Sequence, residues 1–491
     1  MKLKNNNKNF IDGKWVDGKS DIYNLLNPYD NSLITKIKLA NKEQVSNAFN
    51  AANDAYKAWS SKPSLRKEVL NKVKNYFEDN QEEIIKLLAL ESGSTYVKSQ
   101  LELNITIECI TASINNVDEI GVTSLSDESS VKESLCYKKP KGVISSISPF
   151  NFPLFLSIRT IIPALALGNA VVHKGDIQTA YTGGIIIAKA LEEAGLPKGL
   201  FNMLLADPKE IGDIMFDHPL IDFVSFTGST KVGMHIGAVA GSNLKEVALE
   251  LGGNAPFIVL SDSNIDAAVN AAIFGKFIHQ GQICMIVNRI IVHEDLYDEF
   301  IEKFVEKAQS LKFGNPLERE NVIGPIINES QINKIKSIIE SAKNKETPLA
   351  LEGKQIGNIL TPTIFTDVDN DSELAQTEIF GPIASIIQAH SDEDAIEKAN
   401  RTEYGLSAAI FTSDLEKGEE LAKNLEFGMT HVNDQTVAND EGAPFGGIKK
   451  SGVGRFGFPY VVDEFTELNW VTVRKADENK YTREFQGEHD L

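Results

Sequence analysis

Residues 142–174 read GVISSISPFNFPLFLSIRTIIPALALGNAVVHK, and this stretch decides the fold. It opens with a short β-rich run, Val143–Ile147, passes through a proline-bounded loop into a helical segment, and closes with a second run, Ala170–His173. Two short apolar strands joined by a helix are typical of parallel pairing, because the helix carries the chain back to the same end of the sheet. The stretch therefore predicts the first unit of an α/β sheet.

The same alternation continues along the rest of the chain. After residue 174 we predict strands and helices at Thr179–Ala194, Leu200–Leu204, Lys209–Asp217, Phe223–Phe226 and Phe257–Leu260. A second block begins near Asn254, with predicted strands at Arg289–His293, Ala384–Ala389, Ala408–Phe411 and Thr430–Val432. Its predicted helices are Ile265–Phe277, Leu296–Leu311, Glu329–Ala342 and Asp392–Asn400. The expected class is α/β, with two doubly wound domains built on mostly parallel sheets.

The first third of the chain is helical instead. Apolar residues at helical spacing predict helices at Gln44–Trp59, Leu65–Leu90 and Val97–Glu119. A polar stretch, Ser124–Glu133, follows and is expected to form an exposed arm or hairpin. A short β-like run near the end, Asn469–Val473, is a second element that could pair with another subunit.

Composition excludes several classes of protein. The chain has 491 residues, which is too long for one hydrophobic core, and a formal net charge of −20, which disfavours a nucleic-acid partner. The N-terminal MKLKNNNKNF has no apolar stretch behind its lysines, so no secretory signal is expected, and the longest apolar run is too short and too interrupted to span a membrane. The three cysteines fit neither a disulfide framework nor a zinc site. We expect a cytoplasmic protein without a metal.

Two stretches carry candidate reactive groups. Gly281–Cys284 (GQIC) ends a helical run, and a cysteine there can act as a nucleophile if it is partly exposed and stabilised as thiolate. Glu250–Asn254 (ELGGN) puts a carboxylate at a strand end before two glycines, a usual place for function in an open α/β sheet. Taken alone, each also fits a structural reading, as a buried cysteine or as a turn with a surface glutamate. Cys109 and Cys136 have no such setting and are read as structural.

Two further stretches suit ligand binding. Ser148–Pro153 (SPFNFP) follows the first strand, and the amide of Asn151 could donate to a developing oxyanion. Phe226–Gly233 (FTGSTKVG) leads a strand into a helix, whose N-terminal amides suit an anion. No GxGxxG follows the first strand, so a dinucleotide would have to bind differently from the ordinary Rossmann mode.

With these motifs in this order, the sequence resembles the aldehyde dehydrogenase superfamily over nearly its whole length. Further stretches that carry the resemblance are FIDGKWVDGKS at 10–20, PALALGN at 163–169, EIFGP at 378–382, NRTEYGLSAAIF at 400–411 and PFGGIKKSGVG at 444–454. The resemblance implies a Rossmann-like NAD(P)-binding domain at 1–122 and 142–252, to which 453–468 returns, and a catalytic domain at 253–452. It also implies a small β oligomerisation arm and tail at 123–141 and 469–491, and a homodimer or homotetramer.

The resemblance also implies roles for individual residues. Cys284 would be the nucleophile, Glu250 the general base, and Asn151 with the backbone N–H of Cys284 the oxyanion hole. The attack would leave a thioester on Cys284 after hydride loss, and water activated by Glu250 would hydrolyse it. The implied cofactor contacts are Ser148, Phe150, Lys174, Asp176, Gly228, Ser229, Thr230, Gly233, Leu251, Gly252, Glu378 and Phe380.

One departure from the family pattern bears on the cofactor. The family's usual Lys-Pro-Ser-Glu after the second strand is here Lys174-Gly175-Asp176-Ile177, so the glutamate that grips the ribose is replaced by Ile177. Loss of that glutamate removes one source of repulsion for the ribose 2′-phosphate of NADP. The carboxylate of Asp176, in contrast, favours the free 2′-hydroxyl of NAD. We expect NAD to be used and NADP to be accepted.

Two stretches resemble the benzaldehyde and vanillin dehydrogenases in particular, NFPLFLSIR at 151–159 and HVNDQTVANDE at 431–441. That branch implies an aromatic aldehyde, with Phe155 and Phe445 as flat apolar walls, although both also fit as ordinary core residues. The alternatives are an aliphatic or semialdehyde dehydrogenase, a CoA-acylating enzyme, against which Glu250 argues, and a non-catalytic protein that keeps the fold.

Overall fold

The computed structural model describes residues 7–126 and 132–474. Parts of the predicted arm (127–131) and tail (475–491) lie outside the described residues. Two large mixed sheets and one small sheet organise the chain. The expected α/β class is confirmed, and the domain boundaries stay a prediction.

The first sheet has eight strands with a parallel centre. Its strands, in spatial order, are Lys14–Val16, Asn9–Ile11, Phe201–Leu204, Ala170–Lys174, Val143–Ile147, Phe223–Thr227, Glu246–Glu250 and Gly452–Val453. The five from Phe201–Leu204 to Glu246–Glu250 are parallel, and the outer ones are antiparallel. The parallel strands are almost entirely buried, because helices cover both faces.

The second sheet has seven strands, six of them parallel. In spatial order they are Leu349–Leu351, Thr363–Phe365, Ile383–Ala389, Val287–His293, Ala255–Val259, Ser407–Phe411 and Met429–Val432. The third sheet joins Thr466–Arg474, Lys132–Pro140 and Gly121–Ser124 in antiparallel order. Three two-stranded ribbons complete the strands: Ile22–Leu26 with Leu33–Lys38, Gln355–Ile356 with Ile359–Leu360, and Tyr404–Gly405 with Ile448–Lys449.

Helices pack around these sheets. Those with the first sheet are Lys42–Ser60, Pro63–Asp79, Gln81–Ser92, Tyr96–Asn115, Pro153–Ala166, Ile186–Glu193, Pro208–Ile211, Ile214–Asp217, Thr230–Ser242 and Tyr460–Phe465. Those with the second are Ile265–Phe277, Tyr297–Gln309, Glu329–Asn344, Glu373–Gln376, Asp392–Asn400 and Leu415–Ala422. In the described parts of the chain, no helix combines the length and apolar character needed to cross a membrane.

Two of the predicted helices are each divided in two by a break. The single helix expected at Leu65–Leu90 is two helices that meet at Asn80, whose side-chain amide donates to the carbonyl of Tyr76 and so competes with the helical pattern. The helix expected at Lys209–Asp217 is split at Gly212, which has a left-handed φ of 59°. Both breaks lie where a polar or glycine residue offers the backbone an alternative.

Candidate active site

The loop that carries Cys284 is held in an unusual backbone conformation. It follows the helix Ile265–Phe277, and three consecutive residues, His279, Gln280 and Gly281, have left-handed φ values of 51°, 56° and 78°. A Cβ atom at Gly281 would collide with the backbone carbonyl of Gly381, so a side chain is excluded there. Such strain in non-glycine residues persists only where the surroundings enforce it. The loop leaves Cys284 partly exposed at the wall of a cavity.

Asn151 lies against this loop from the other sheet. It sits between the strand Val143–Ile147 and the helix Pro153–Ala166, is buried, and its Nδ2 donates to the backbone carbonyl of Gln282 at 2.9 Å. A carboxamide has two N–H donors, so one remains for a group in the cavity that Asn151 and Cys284 both line. The predicted oxyanion donor and the predicted nucleophile are therefore neighbours.

A buried carboxylate fixes the start of the Asn151 helix. Glu102, on the helix Tyr96–Asn115, accepts hydrogen bonds from the backbone N–H groups of Leu154 and Phe155 at 2.9 and 3.2 Å. Its other oxygen pairs with Lys98, which is also fully buried. A carboxylate at a helix N-terminus satisfies free amides and suits the helix dipole. The pair anchors the turn that carries Asn151.

Glu250 ends its strand inside the protein. Its side chain is 2% exposed, its Oε1 has no hydrogen-bond partner in residues 7–126 and 132–474, and its Oε2 lies 3.9 Å from Nη2 of Arg159. Burial raises the pKa of Glu250 to about 7, against the opposing pull of Arg159 and Arg455. A carboxyl with that pKa can exchange a proton near neutral pH, which is what a general base requires.

The thiol of Cys284 is not stabilised as a thiolate. Burial and the nearby carboxylates of Glu250 and Glu378 raise its pKa to about 12, although Arg159 opposes them. Burial and these two carboxylates both disfavour a negative charge on the sulfur, so the thiol form prevails at neutral pH. The proton has to leave Cys284 as the sulfur attacks.

The cavity at Cys284 has a volume of about 320 Å³ and is mainly apolar. Phe155 and Phe445, the predicted substrate walls, both line it. Its other lining residues include Leu101, Ile105, Phe152, Leu156, Phe274, Ile283 and Val437. Such a space suits a flat apolar molecule with its polar end at Cys284.

A second cavity, of about 300 Å³, lies at the carboxyl ends of the first sheet's strands. The predicted cofactor contacts that line it are Ser148, Phe150, Lys174, Asp176, Gly228 and Ser229. It meets the start of the helix Thr230–Ser242, which has no side-chain cap, and its walls include Val232 and Ile236. An ammonium group, first-turn amides and apolar walls fit the pyrophosphate and adenine of a dinucleotide.

The remaining predicted cofactor contacts are outside the lining of that cavity. Gly233 and Leu251 pack against each other, and Oγ1 of Thr230 accepts from the N–H of Gly252 at 3.2 Å. Glu378 accepts from the N–H of Gly253 at 3.1 Å, and burial raises its pKa to about 6.

Close packing joins this region to the nucleophile. A Cβ at Gly252 would lie 2.6 Å from Oε2 of Glu378, and a Cβ at Gly253 would collide with the carbonyl oxygen of Cys284. Phe380 has a φ of 55° and contacts the ring of Phe150 edge-on, 6.0 Å between centroids. The glycines therefore let the strand end of Glu250, the carboxylate of Glu378 and the Cys284 loop approach one another.

Sequence reasoning missed Arg159, which lines the Cys284 cavity and contacts Glu250. A signal was present: it is the single charged side chain among the 14 residues of the helix Pro153–Ala166, all of which are buried. A charge in so apolar a helix needs a partner. Gln282, whose backbone carbonyl accepts from Asn151, carried no sequence signal of its own.

Comparison with known proteins agrees with this geometry. Residues 15–471 match the aldehyde dehydrogenase family. AldY of Bacillus subtilis is 54% identical over 97% of this chain and 99% of its own length, and a vanillin dehydrogenase of Corynebacterium glutamicum is 42% identical over 96% and 98%. The crystal structure of an NAD-dependent benzaldehyde dehydrogenase from Corynebacterium glutamicum is 39% identical, covers 96% of this chain and 98% of its own, and superposes with a TM-score of 0.87. Because the family match covers residues 15–471 and these relatives are similar over nearly the whole chain, the chain belongs to the aldehyde dehydrogenase family.

Proposed function

We propose that this enzyme oxidises an aromatic aldehyde to the carboxylic acid, with NAD as the cofactor, through a thioester on Cys284. The observation that carries the proposal is the mainly apolar cavity of about 320 Å³, which Cys284, Asn151, Phe155 and Phe445 all line. An aromatic ring fits between apolar walls while its aldehyde group faces the sulfur.

In the first step, Sγ of Cys284 bonds to the aldehyde carbon, and the thiol proton leaves as the bond forms. Because Cys284 is partly exposed and the pKa of its thiol is about 12, this proton passes to solvent water as the bond forms, and the Glu250 carboxylate stays free to act as the base in hydrolysis. The new oxyanion receives hydrogen bonds from the free N–H of Asn151 and the backbone N–H of Cys284. These donors are fixed before the reaction begins, so they stabilise charge without reorganisation.

The nicotinamide of NAD, when bound, supplies the acceptor for the hydride that leaves the tetrahedral carbon. The residues we assign to holding the cofactor are those of the second cavity, with Lys174 and the start of the helix Thr230–Ser242 toward the ribose and pyrophosphate. Glu378 would bind the nicotinamide ribose, and Phe380 would pack beside the ring. Thr230, Gly233, Leu251 and Gly252 support this site through packing and hydrogen bonds.

The last step is hydrolysis. Glu250 takes a proton from water, the water oxygen bonds to the thioester carbon, and the carbon–sulfur bond breaks as the proton on Glu250 passes to the sulfur, which releases the acid and restores the Cys284 thiol. A buried base with a pKa near 7 supports hydrolysis over transfer to CoA, which needs no such base. Omission of CoA from the assay separates the two: full turnover without CoA supports hydrolysis, and dependence on CoA refutes it.

The aromatic class is supported by the cavity and by the vanillin and benzaldehyde dehydrogenases among its relatives. We expect kcat/KM for benzaldehyde and vanillin to exceed that for acetaldehyde and succinic semialdehyde by at least tenfold. Faster turnover of either aliphatic substrate would refute the aromatic assignment but not the family. Cys284→Ala should abolish NADH formation with every substrate while NADH binding is retained.

A further inference from the structure

Arg159 is a buried cation that lies among three aromatic rings. Its side chain is 3% exposed, and its guanidinium carbon lies 4.4 Å from the ring centre of Phe456, 4.6 Å from that of Phe445 and 5.8 Å from that of Phe155. Its Nε and Nη1 have no hydrogen-bond partner in the described part of the chain. Aromatic faces attract a cation without neutralising it.

The third guanidinium nitrogen of Arg159, Nη2, lies near Glu250, the proposed base. Nη2 lies 3.3 Å from Oγ1 of Thr227 and 3.9 Å from Oε2 of Glu250. Thr227 pairs with Glu250 on the neighbouring parallel strand, so Arg159 makes both contacts at the carboxyl ends of these two strands. The guanidinium therefore approaches Glu250 from the side of the substrate cavity.

We propose that Arg159 is a positioning residue, which keeps the carboxylate of Glu250 ionised and oriented for hydrolysis of the thioester while Phe445 and Phe456 hold its guanidinium in place. The proposal rests on the role of Glu250 given above. It also gives Phe445 a second task, since one face of its ring serves the guanidinium.

Other charged groups face this pair. Arg455, Glu464 and the Cys284 thiol act on or respond to Glu250, whereas Glu441 and Cys109 respond to the charge of Arg159. Nη1 of Arg455 donates to the backbone carbonyls of Gly447 and Gly454, at 3.0 and 2.7 Å. Of the groups that lower the pKa of Glu250, Arg159 has the largest effect.

Arg159 favours the ionised form of Glu250, so its removal raises the pKa of Glu250 from its value of about 7. Hydrolysis then requires a higher pH. Loss of a charge at this distance typically moves a pKa by about one to three units.

The test compares Arg159→Met with Arg159→Lys in stopped-flow NADH formation from benzaldehyde between pH 6 and pH 9.5. In Arg159→Met we expect a rapid NADH burst, then a steady-state rate at pH 7 reduced at least tenfold and recovering as the pH rises. Arg159→Lys keeps the charge and should retain most of the wild-type profile. Loss of packing alone would lower the rate equally at every pH, so an unshifted midpoint in Arg159→Met would overturn the proposal.

Two further variants keep the outcomes distinct. Phe456→Leu retains the guanidinium but removes one ring face, and a smaller upward shift of the midpoint is expected; if Arg159→Met fails to bind NADH, an unshifted Phe456→Leu profile overturns the proposal instead. Glu250→Gln tests the underlying role: wild-type hydrolysis in that variant would refute Glu250 as the base. Slow hydrolysis in Glu250→Gln with an unshifted Arg159→Met would refute only the inference about Arg159.

Discussion

Nδ2 of Asn151 donates a hydrogen bond to the backbone carbonyl of Gln282, 2.9 Å away and two residues before Cys284. The bond joins the first sheet to the loop that follows the helix Ile265–Phe277. It therefore fixes the carboxamide relative to the sulfur before any substrate arrives.

Replacement of Asn151 should slow the chemical step. Asn151→Ala removes one oxyanion donor, and loss of such a donor typically lowers kcat by about a hundredfold to a thousandfold. KM for the aldehyde should change little, because the donor acts on charge that develops in the transition state. Steady-state kinetics with benzaldehyde measures both quantities. Asn104→Ala, at an exposed position on the helix Tyr96–Asn115, is the matched control, and a kcat for Asn151→Ala within threefold of that control would contradict the oxyanion role.

The protonated state of Cys284 predicts slow alkylation at neutral pH. Only the thiolate reacts with iodoacetamide, and a pKa of about 12 leaves little thiolate at pH 7. The rate constant for Cys284, followed by peptide mass spectrometry, should rise about tenfold per pH unit between pH 7 and pH 9. A rate that is already constant over this range would show a stabilised thiolate.

The same assay separates the causes of the shift. Glu250→Gln removes a negative charge that faces the sulfur, so the pKa of Cys284 should fall and alkylation at pH 8 should become several-fold faster. Glu43→Gln serves as the control, because it removes the charge of an exposed glutamate on the helix Lys42–Ser60. Equal rates in the two variants would mean that Glu250 does not raise the pKa of the thiol.

Asp176 is expected to set the balance between NAD and NADP. Its carboxylate accepts from the N–H of Gln178 at 2.8 Å and also lines the second cavity, so it is a fixed negative charge beside the proposed ribose site. Asp176→Asn keeps an oxygen for that hydrogen bond but removes the charge. We expect the ratio of kcat/KM for NADP to that for NAD to rise at least fivefold.

The control for this change is Asp414→Asn. The side chain of Asp414 accepts a hydrogen bond from the backbone N–H of Lys417 at the start of the helix Leu415–Ala422. This helix packs with the second sheet, away from the proposed ribose site. Wild-type enzyme should already turn over slowly with NADP. Strict rejection of NADP by both wild type and Asp176→Asn would refute the role of Asp176.

Local sequence patterns were sufficient to predict most of the helices and strands and to single out the individual candidate residues. The run Val143–Ile147 is a strand with the predicted bounds, and the helices Ile265–Phe277 and Asp392–Asn400 also match. Breaks such as the one at Asn80 were missed, because a side chain that competes for a backbone carbonyl does not disturb the apolar periodicity.

The electrostatics of the site needed the fold. Cys284, Glu250 and Arg159 lie in three segments far apart in sequence, and the pKa values of Cys284 and Glu250 depend on burial and on the charges that the fold brings near them. The sequence therefore indicated a nucleophile and a base, but the pKa of neither group can be read from its local pattern. The contact between Arg159, on the helix Pro153–Ala166, and Glu250, at the end of the strand Glu246–Glu250, is made by the fold, and no spacing in the chain encodes it.

The small third sheet predicts that the enzyme associates through a second copy of itself. Leu468 and Trp470 lie on one face of the strand Thr466–Arg474, and both are 68% exposed. Apolar side chains grouped on a sheet face in this way usually mark an interface. The double variant Leu468→Asp/Trp470→Asp should dissociate the expected homodimer or homotetramer, as measured by sedimentation velocity. Leu244→Asp, at an isolated leucine that is 95% exposed, should leave the assembly intact. If the double variant sediments like wild type, or if wild type is monomeric at micromolar concentration, this face is not the interface.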